Sequence, residues 1–77
     1  METRKRPLKN QNQLKKLGDK IRKLRISKKL SQEALADLSG IERSYMGAIE
    51  RGERNPSFDK LVNIAKALKI SPGDLLK

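Results

Sequence analysis

The residues that run most enzyme chemistry are missing from this sequence. It contains no histidine and no cysteine. That removes the commonest general base, the commonest zinc ligand, any thiolate nucleophile and any disulfide. The carboxylates form no clustered pair, so no acid–base or nucleophilic constellation can be assembled, and no motif calls for a cofactor or a small-molecule effector. What remains are hydrogen-bond donors and positive charge. Their most organised arrangement lies between residues 43 and 55. Arg43, Ser44, Gly47, Ala48 and Arg51 share one face of a helix, and Met46, Ile49 and Glu50 fall on the other. The first face opens with a long donor and a hydroxyl and continues with small residues. A helix entering the major groove needs donors near its N-terminus and little bulk where its backbone nears the bases. Arg43 could pair with guanine, and Ser44 is a tolerant donor and acceptor. The plain alternative is a solvated face. Such a face has no use for Gly47, which costs a helix about 1 kcal/mol relative to alanine, whereas close approach to DNA does. Gln32, at the start of the preceding helix, should point outward at the positive end of the helix dipole, where phosphate binds. Arg54 and Asn55 could reach a base edge or the backbone; otherwise they are polar loop residues.

The charge points the same way. Lys and Arg number 19 against 9 Asp and Glu, for a net +10 over 77 residues. Residues 1–16 hold six bases and one acid, and residues 17–77 hold thirteen and eight. The folded part is therefore basic on its own, and an N-terminal segment doubles the excess. Polyanions are the natural partners, nucleic acid before an anionic membrane, with solubility as the plain alternative. No apolar run nears the roughly 20 residues that span a bilayer. The start lacks the apolar stretch of a signal peptide, which places the chain in the cytoplasm.

Several elements must position these residues. Residues 1–13 read as a basic arm with too little apolar content to order itself. Residues 14–77 read as one domain with an aliphatic core, since aromatics are only 3% of the chain. Leu14, Leu17, Ile21 and Leu24 make the stripe of a first helix ending near Lys28. Ser31 caps a short second helix that Gly40 ends. A third runs from about 43 to 51 and stops at Gly52. Ser57 caps a fourth, with Phe58, Leu61, Ile64, Ala65 and Leu68 facing inward. Ser71, Pro72 and Asp74 start a fifth by a capping box, and Leu75 and Leu76 are read as exposed. The fold class is all-α, a compact five-helix bundle, and its second and third helices form a helix-turn-helix. Arg25, beside the first stripe, and Glu50, on the inner side of the third helix, are expected to form a partly buried structural ion pair.

Leu30-Ser31-Gln32-Glu33-Ala34-Leu35-Ala36, Gly40-Ile41, Arg43-Ser44-Tyr45-Met46 and Ile49 through Pro56 resemble the helix-turn-helix domain of the lambda and 434 repressor, Cro and Xre family. Ile64-Ala65-Lys66-Ala67-Leu68 with Ile70-Ser71-Pro72 continues the match. Within that family, Arg43-Ser44-Tyr45 and Glu50-Arg51-Gly52-Glu53-Arg54-Asn55 are most similar to restriction–modification controller proteins. The resemblance implies a homodimer built around the last helix, binding a two-fold operator on double-stranded DNA. It also implies base contacts from the start of the third helix, Arg43, Ser44 and Tyr45, further contacts from Arg54 and Asn55, and the Arg25–Glu50 pair. A prophage-type repressor fits equally. Two residues depart from the family. Lys29 stands where glycine is usual, and Glu42 stands where a better cap is usual. The competing function classes are an antitoxin-like protein-interaction module and a non-specific nucleic-acid binder using the basic arm.

Overall fold

The computed structural model describes residues 11–77, which hold five helices and no strand: α1 (Gln11–Ser27), α2 (Gln32–Ser39), α3 (Arg43–Glu50), α4 (Phe58–Leu68) and α5 (Pro72–Leu76). The first helix begins ahead of Leu14, so Gln11, Asn12 and Gln13, assigned above to the arm, form its first turn. Once a buried stripe has nucleated a helix, each added residue gains a hydrogen bond at small cost. The remainder of the basic arm, residues 1–10, lies outside the described residues.

Three helices start on serine. The Oγ atoms of Ser31, Ser57 and Ser71 accept from the N–H groups of Ala34, Lys60 and Asp74 at 2.9, 3.3 and 3.1 Å. Each cap satisfies one of the amides that a helix N-terminus leaves unpaired. Helix α3 differs: Glu42 has the extended backbone of a cap, but its side chain accepts no bond.

Helices α1 to α4 end in one way. The N–H groups of Leu30, Ile41, Glu53 and Ile70 reach back to the carbonyls of Arg25, Ala36, Ala48 and Ala65 at 2.9–3.0 Å. The residue before each is left-handed: Lys29 (φ 60°), Gly40 (68°), Gly52 (78°) and Lys69 (61°). This is the Schellman ending, in which an apolar residue after the left-handed one packs back on the helix. Leu30, Ile41 and Ile70 join the core as the motif requires. Glu53 is the polar exception. Lysine at two of the left-handed positions accepts strain that glycine avoids.

The core runs continuously from Leu17 and Ile21 through Leu35, Met46, Ile49, Ile64 and Leu68 to Leu75. Helix α2 packs on α4, α1 packs on α3, and α5 closes against α1 and α4. Two sequence expectations are corrected. Phe58 is 70% exposed, because it sits in the first turn at the edge of its stripe. Leu75 is only 1% exposed while Leu76 is 53% exposed. Adjacent residues on a helix point about 100° apart, so one leucine turns inward and its neighbour cannot.

The left-handed lysines yield the first prediction. Lys29→Gly and Lys69→Gly should each raise the unfolding free energy by up to about 1 kcal/mol. The strain relieved, roughly 1–2 kcal/mol, exceeds the extra unfolded-state entropy of glycine, roughly 0.4–1 kcal/mol. Urea denaturation checks this, and a lowered midpoint in both variants would refute the strain.

Candidate nucleic-acid interface

Helix α3 is fixed to the body by its C-terminal half. Met46 and Ile49 are buried in the core. On the side facing α1 the two backbones meet closely at Gly18. A Cβ there would collide with the Ile49 carbonyl oxygen and lie 2.5 Å from that of Glu50. Just beyond α3, a Cβ on Gly52 would lie 2.7 Å from Lys15 Cγ and 2.9 Å from Lys15 Cα. The α1 turn from Lys15 to Gly18 therefore sits directly against residues 49–52. Gly18 carries its own signal in the sequence: a glycine inside the apolar stripe of a helix is costly unless something must come close.

The same end is held by charge. Arg25 Nε donates to Glu50 Oε2 at 2.7 Å and its Nη2 donates to Oε1 at 3.1 Å. The side chains are 13% and 3% exposed. Arg25 Nη1 also donates to the Leu30 carbonyl at 3.0 Å, just ahead of α2. One guanidinium thus joins α1, the start of α2 and the end of α3. Gln32 adds to the cluster: its Nε2 donates to Glu50 Oε1 at 3.1 Å, and its Oε1 accepts from Arg43 Nη1 at 3.4 Å.

The residues singled out from sequence divide into three groups. Arg43, Ser44, Arg51, Arg54 and Asn55 are exposed. Arg51, Arg54 and Asn55 line an open cleft with Tyr45, Gln11 and Lys15, so the loop after α3 and the start of α1 share one surface. Tyr45 and Ala48 are half-buried. The Tyr45 ring packs on the core with Lys60 Nζ 5.6 Å from its centroid, a cation–π contact that the sequence did not reveal. Gln32 differs from expectation, and Gly47 lies beside it. Gln32 is half-buried, and its side chain turns inward to Glu50 instead of outward, because a carboxylate held by one arginine still has acceptor capacity for an amide. Gly47 is buried, and the space a Cβ would take is bounded by Arg51 Nη1 at 3.1 Å and Gln32 Oε1 at 3.2 Å. The opening above this glycine is filled by the chain's own side chains.

Arg51 Nη2 also meets Glu53 Oε1 at 3.1 Å, with both side chains 60% exposed. The hydrogen bond between them, reinforced by their opposite charges, holds the Glu53 carboxyl below the usual carboxylate range and raises the Arg51 guanidinium. A pair this exposed contributes little to stability. It parks a cation on the surface that a phosphate can take over.

The helix-turn-helix family HTH_3 matches residues 21–75 of the chain. Over 60 residues the chain is 48% identical to the control protein C.BamHI of Bacillus amyloliquefaciens, a span that covers 77% of this chain and 74% of that one. Among solved structures it is similar to the restriction–modification controller protein C.AhdI of Aeromonas hydrophila, with a TM-score of 0.79 and 52% identity over 80% of this chain and 94% of that one. It is also similar to the P22 c2 repressor in complex with a synthetic operator, with a TM-score of 0.75 and 36% identity over 79% and 92% of the two chains.

The buried pair gives a second prediction. Glu50→Ala should lower the unfolding free energy by about 3 kcal/mol or more, since it strands a buried guanidinium. Arg25→Met with Glu50→Leu should lower it less than Glu50→Ala alone, because no charge is left unpaired. Denaturant midpoints decide, and an unchanged midpoint for Glu50→Ala would remove the pair from any structural role.

Proposed function

The chain belongs to the helix-turn-helix family HTH_3, and from that premise we propose that it is a sequence-specific transcriptional regulator whose α3 reads the major groove of double-stranded DNA. The observation that carries this reading is the outer face of α3. It opens with exposed Arg43 and Ser44, while the opposite end of the same helix is locked to α1. A reading helix needs both properties: free donors where it meets base edges, and a backbone that cannot shift under them.

Arg43 pairs with a guanine through O6 and N7, and Ser44 takes a neighbouring base or phosphate. Arg51 and Arg54 neutralise phosphate, and Asn55 contacts a base edge or the backbone from the loop. Gln32, Tyr45 and Ala48 form the surface from which these donors extend, and Gly47, buried beneath the Gln32 and Arg51 side chains, leaves room for them near the DNA. The net charge of +10 supplies a salt-sensitive attraction that brings the domain to any duplex. Similarity to C.BamHI and C.AhdI favours control of a restriction–modification system over other regulatory roles. In the active form two copies sit across a two-fold axis. Exposed Leu76 on α5 supports this seam, and Leu75, buried in the core, plays no part in it. The role is binding without catalysis, it requires no cofactor or effector, and it is exercised in the cytoplasm, where the DNA is. Among the described residues no helix is long and apolar enough to cross a membrane.

Selection of duplexes from a random pool by the full chain, near physiological salt, tests this. The expected result is a two-fold symmetric consensus with half-sites about 34 Å apart. No consensus, with binding that disappears as salt rises, would overturn the reading. On the selected duplex, Arg43→Ala should cost about 1–3 kcal/mol and relax the preference at one base pair of each half-site.

A further inference from the structure

We propose that Lys29 is a phosphate-binding residue of the DNA interface, set by its left-handed backbone beside the strand that α2 crosses. The inference rests on the reading of α3 as the helix in the groove, and it adds a contact ahead of α2.

Two non-glycine residues among those described have positive φ, Lys29 at 60° and Lys69 at 61°. A side chain in this conformation crowds the following carbonyl oxygen, and glycine has none to crowd it. Both lysines end helices by the same motif, so strain alone does not separate them. Their places do. Lys69 leads from α4 into α5, whereas Lys29 leads from α1 into α2. Lys29 lies three residues ahead of Gln32, whose Oε1 is 3.4 Å from Arg43 Nη1. Three residues of chain span at most about 11 Å. Lys29 therefore borders the face that carries Arg43.

The backbone at this point is fixed. The Lys29 N–H donates to the Ile26 carbonyl at 2.9 Å, and the Leu30 N–H donates to the Arg25 carbonyl at 3.0 Å. The Leu30 carbonyl accepts from Arg25 Nη1 at 3.0 Å, and the Leu30 side chain packs on the core. The Lys29 side chain is exposed and starts from a held position. Arg51 rests on Glu53 and Lys23 on Asp19, but among the described residues no carboxylate pairs with Lys29. Its charge can meet a phosphate with no ion pair to give up.

The first helix of a helix-turn-helix crosses the phosphate backbone while the second lies in the groove. Here α2 is the crossing helix, and the residue just ahead of it runs beside that backbone. Arg51 and Arg54 lie at and beyond the far end of α3. Phosphates held on both sides fix where α3 sits, although they carry no sequence information themselves. An ammonium suits this task, because it acts as a point charge and needs no set orientation. Glycine at this position would relieve the backbone and remove the contact. Stability and binding should therefore move in opposite directions, as they do where strain is kept at a functional site.

The experiment measures affinity across a range of salt concentrations, on the selected duplex and on the same duplex altered at the base pair that Arg43→Ala relaxes. Lys29→Gly should weaken both duplexes alike, about three- to tenfold near physiological salt, and make the slope of log affinity against log salt shallower by about one. Its denaturation midpoint should rise. Lys29→Arg keeps the charge and should keep the wild-type slope. Lys69→Gly is the matched control, since it removes the same charge from the same conformation. Its midpoint should also rise, with affinity within about twofold of wild type and an unchanged slope. A wild-type slope and affinity in Lys29→Gly would overturn the proposal, because the ammonium would then meet no phosphate. An equal loss in Lys69→Gly would overturn it too, since net charge and not position would be acting. So would a loss confined to one of the two duplexes, which makes Lys29 a base contact. If Arg43→Ala relaxes no base pair, the reading of α3 itself fails; an unaltered Lys29→Gly beside an effective Arg43→Ala defeats the Lys29 contact alone.

Discussion

Arg25 sends two donors to the Glu50 carboxylate and a third to the Leu30 carbonyl, and that one guanidinium ties together α1, the lead-in to α2 and the end of α3. Burying two charges is expensive, and a well-packed apolar pair of similar volume often gives equal or greater stability. What an apolar pair lacks is direction. A planar guanidinium against a carboxylate accepts one orientation, and any slide or roll of α3 breaks it. The pair is therefore best understood as a register pin between α1 and α3. Leu30 leads into the Ser31 cap, so the pin also fixes where α2 begins.

The pin works because the backbones beside it are close. Gly18 and Gly52 let the turn from Lys15 to Gly18 lie directly against the end of α3, with no side chain as a spacer. Side chains can change rotamer, whereas two helices in backbone contact have little freedom to adjust. Helix α3 needs this support. It has eight residues and no side-chain cap, and isolated helices shorter than roughly 12–15 residues are marginal in water. Its stability comes almost wholly from the body it rests on. The consequence for function is a helix rigid at its buried end and open at the end that carries Arg43 and Ser44.

Much of this was legible from sequence, because the signals were local. Ser31, Ser57 and Ser71 announce helix starts by their own side chains, and Gly40 and Gly52 announce ends by their backbone freedom. The pairing of Arg25 with Glu50 was readable from helical position, since each sits beside an apolar stripe. Failures came where one residue type admits two environments. Phe58 fits the inward stripe of α4 by spacing, yet its position in the first turn leaves nothing over it. Leu75 and Leu76 are identical in type, and only the packing of α5 on α1 and α4 separates them. Lys69 ends α4 left-handed with no sequence warning, because the buried Ile70 and its bond to the Ala65 carbonyl force the turn on whatever residue precedes them. The inward turn of Gln32 and the neighbours of Gly47 arise only between helices, where the pattern of a single helix carries no signal.

Charge and geometry then divide the work of binding. A net +10 attracts any duplex, and that attraction is screened by salt and indifferent to sequence. Specificity requires that some donors be unable to follow whichever base they meet. An arginine on a free surface adapts to many partners, and Arg51 rests on exposed Glu53. Arg43 differs from Arg51 in its surroundings rather than its chemistry. Its neighbour Gln32 is tied to Glu50, Glu50 to Arg25, and Arg25 to the backbone at Leu30, so a chain of hydrogen bonds runs from the helix face into the body of the fold. The arginines at the two ends of α3 thus differ in surroundings: Arg51 is paired with an exposed acid, and Arg43 joins a chain of bonds whose inner end, Arg25 with Glu50, lies where solvent cannot loosen it.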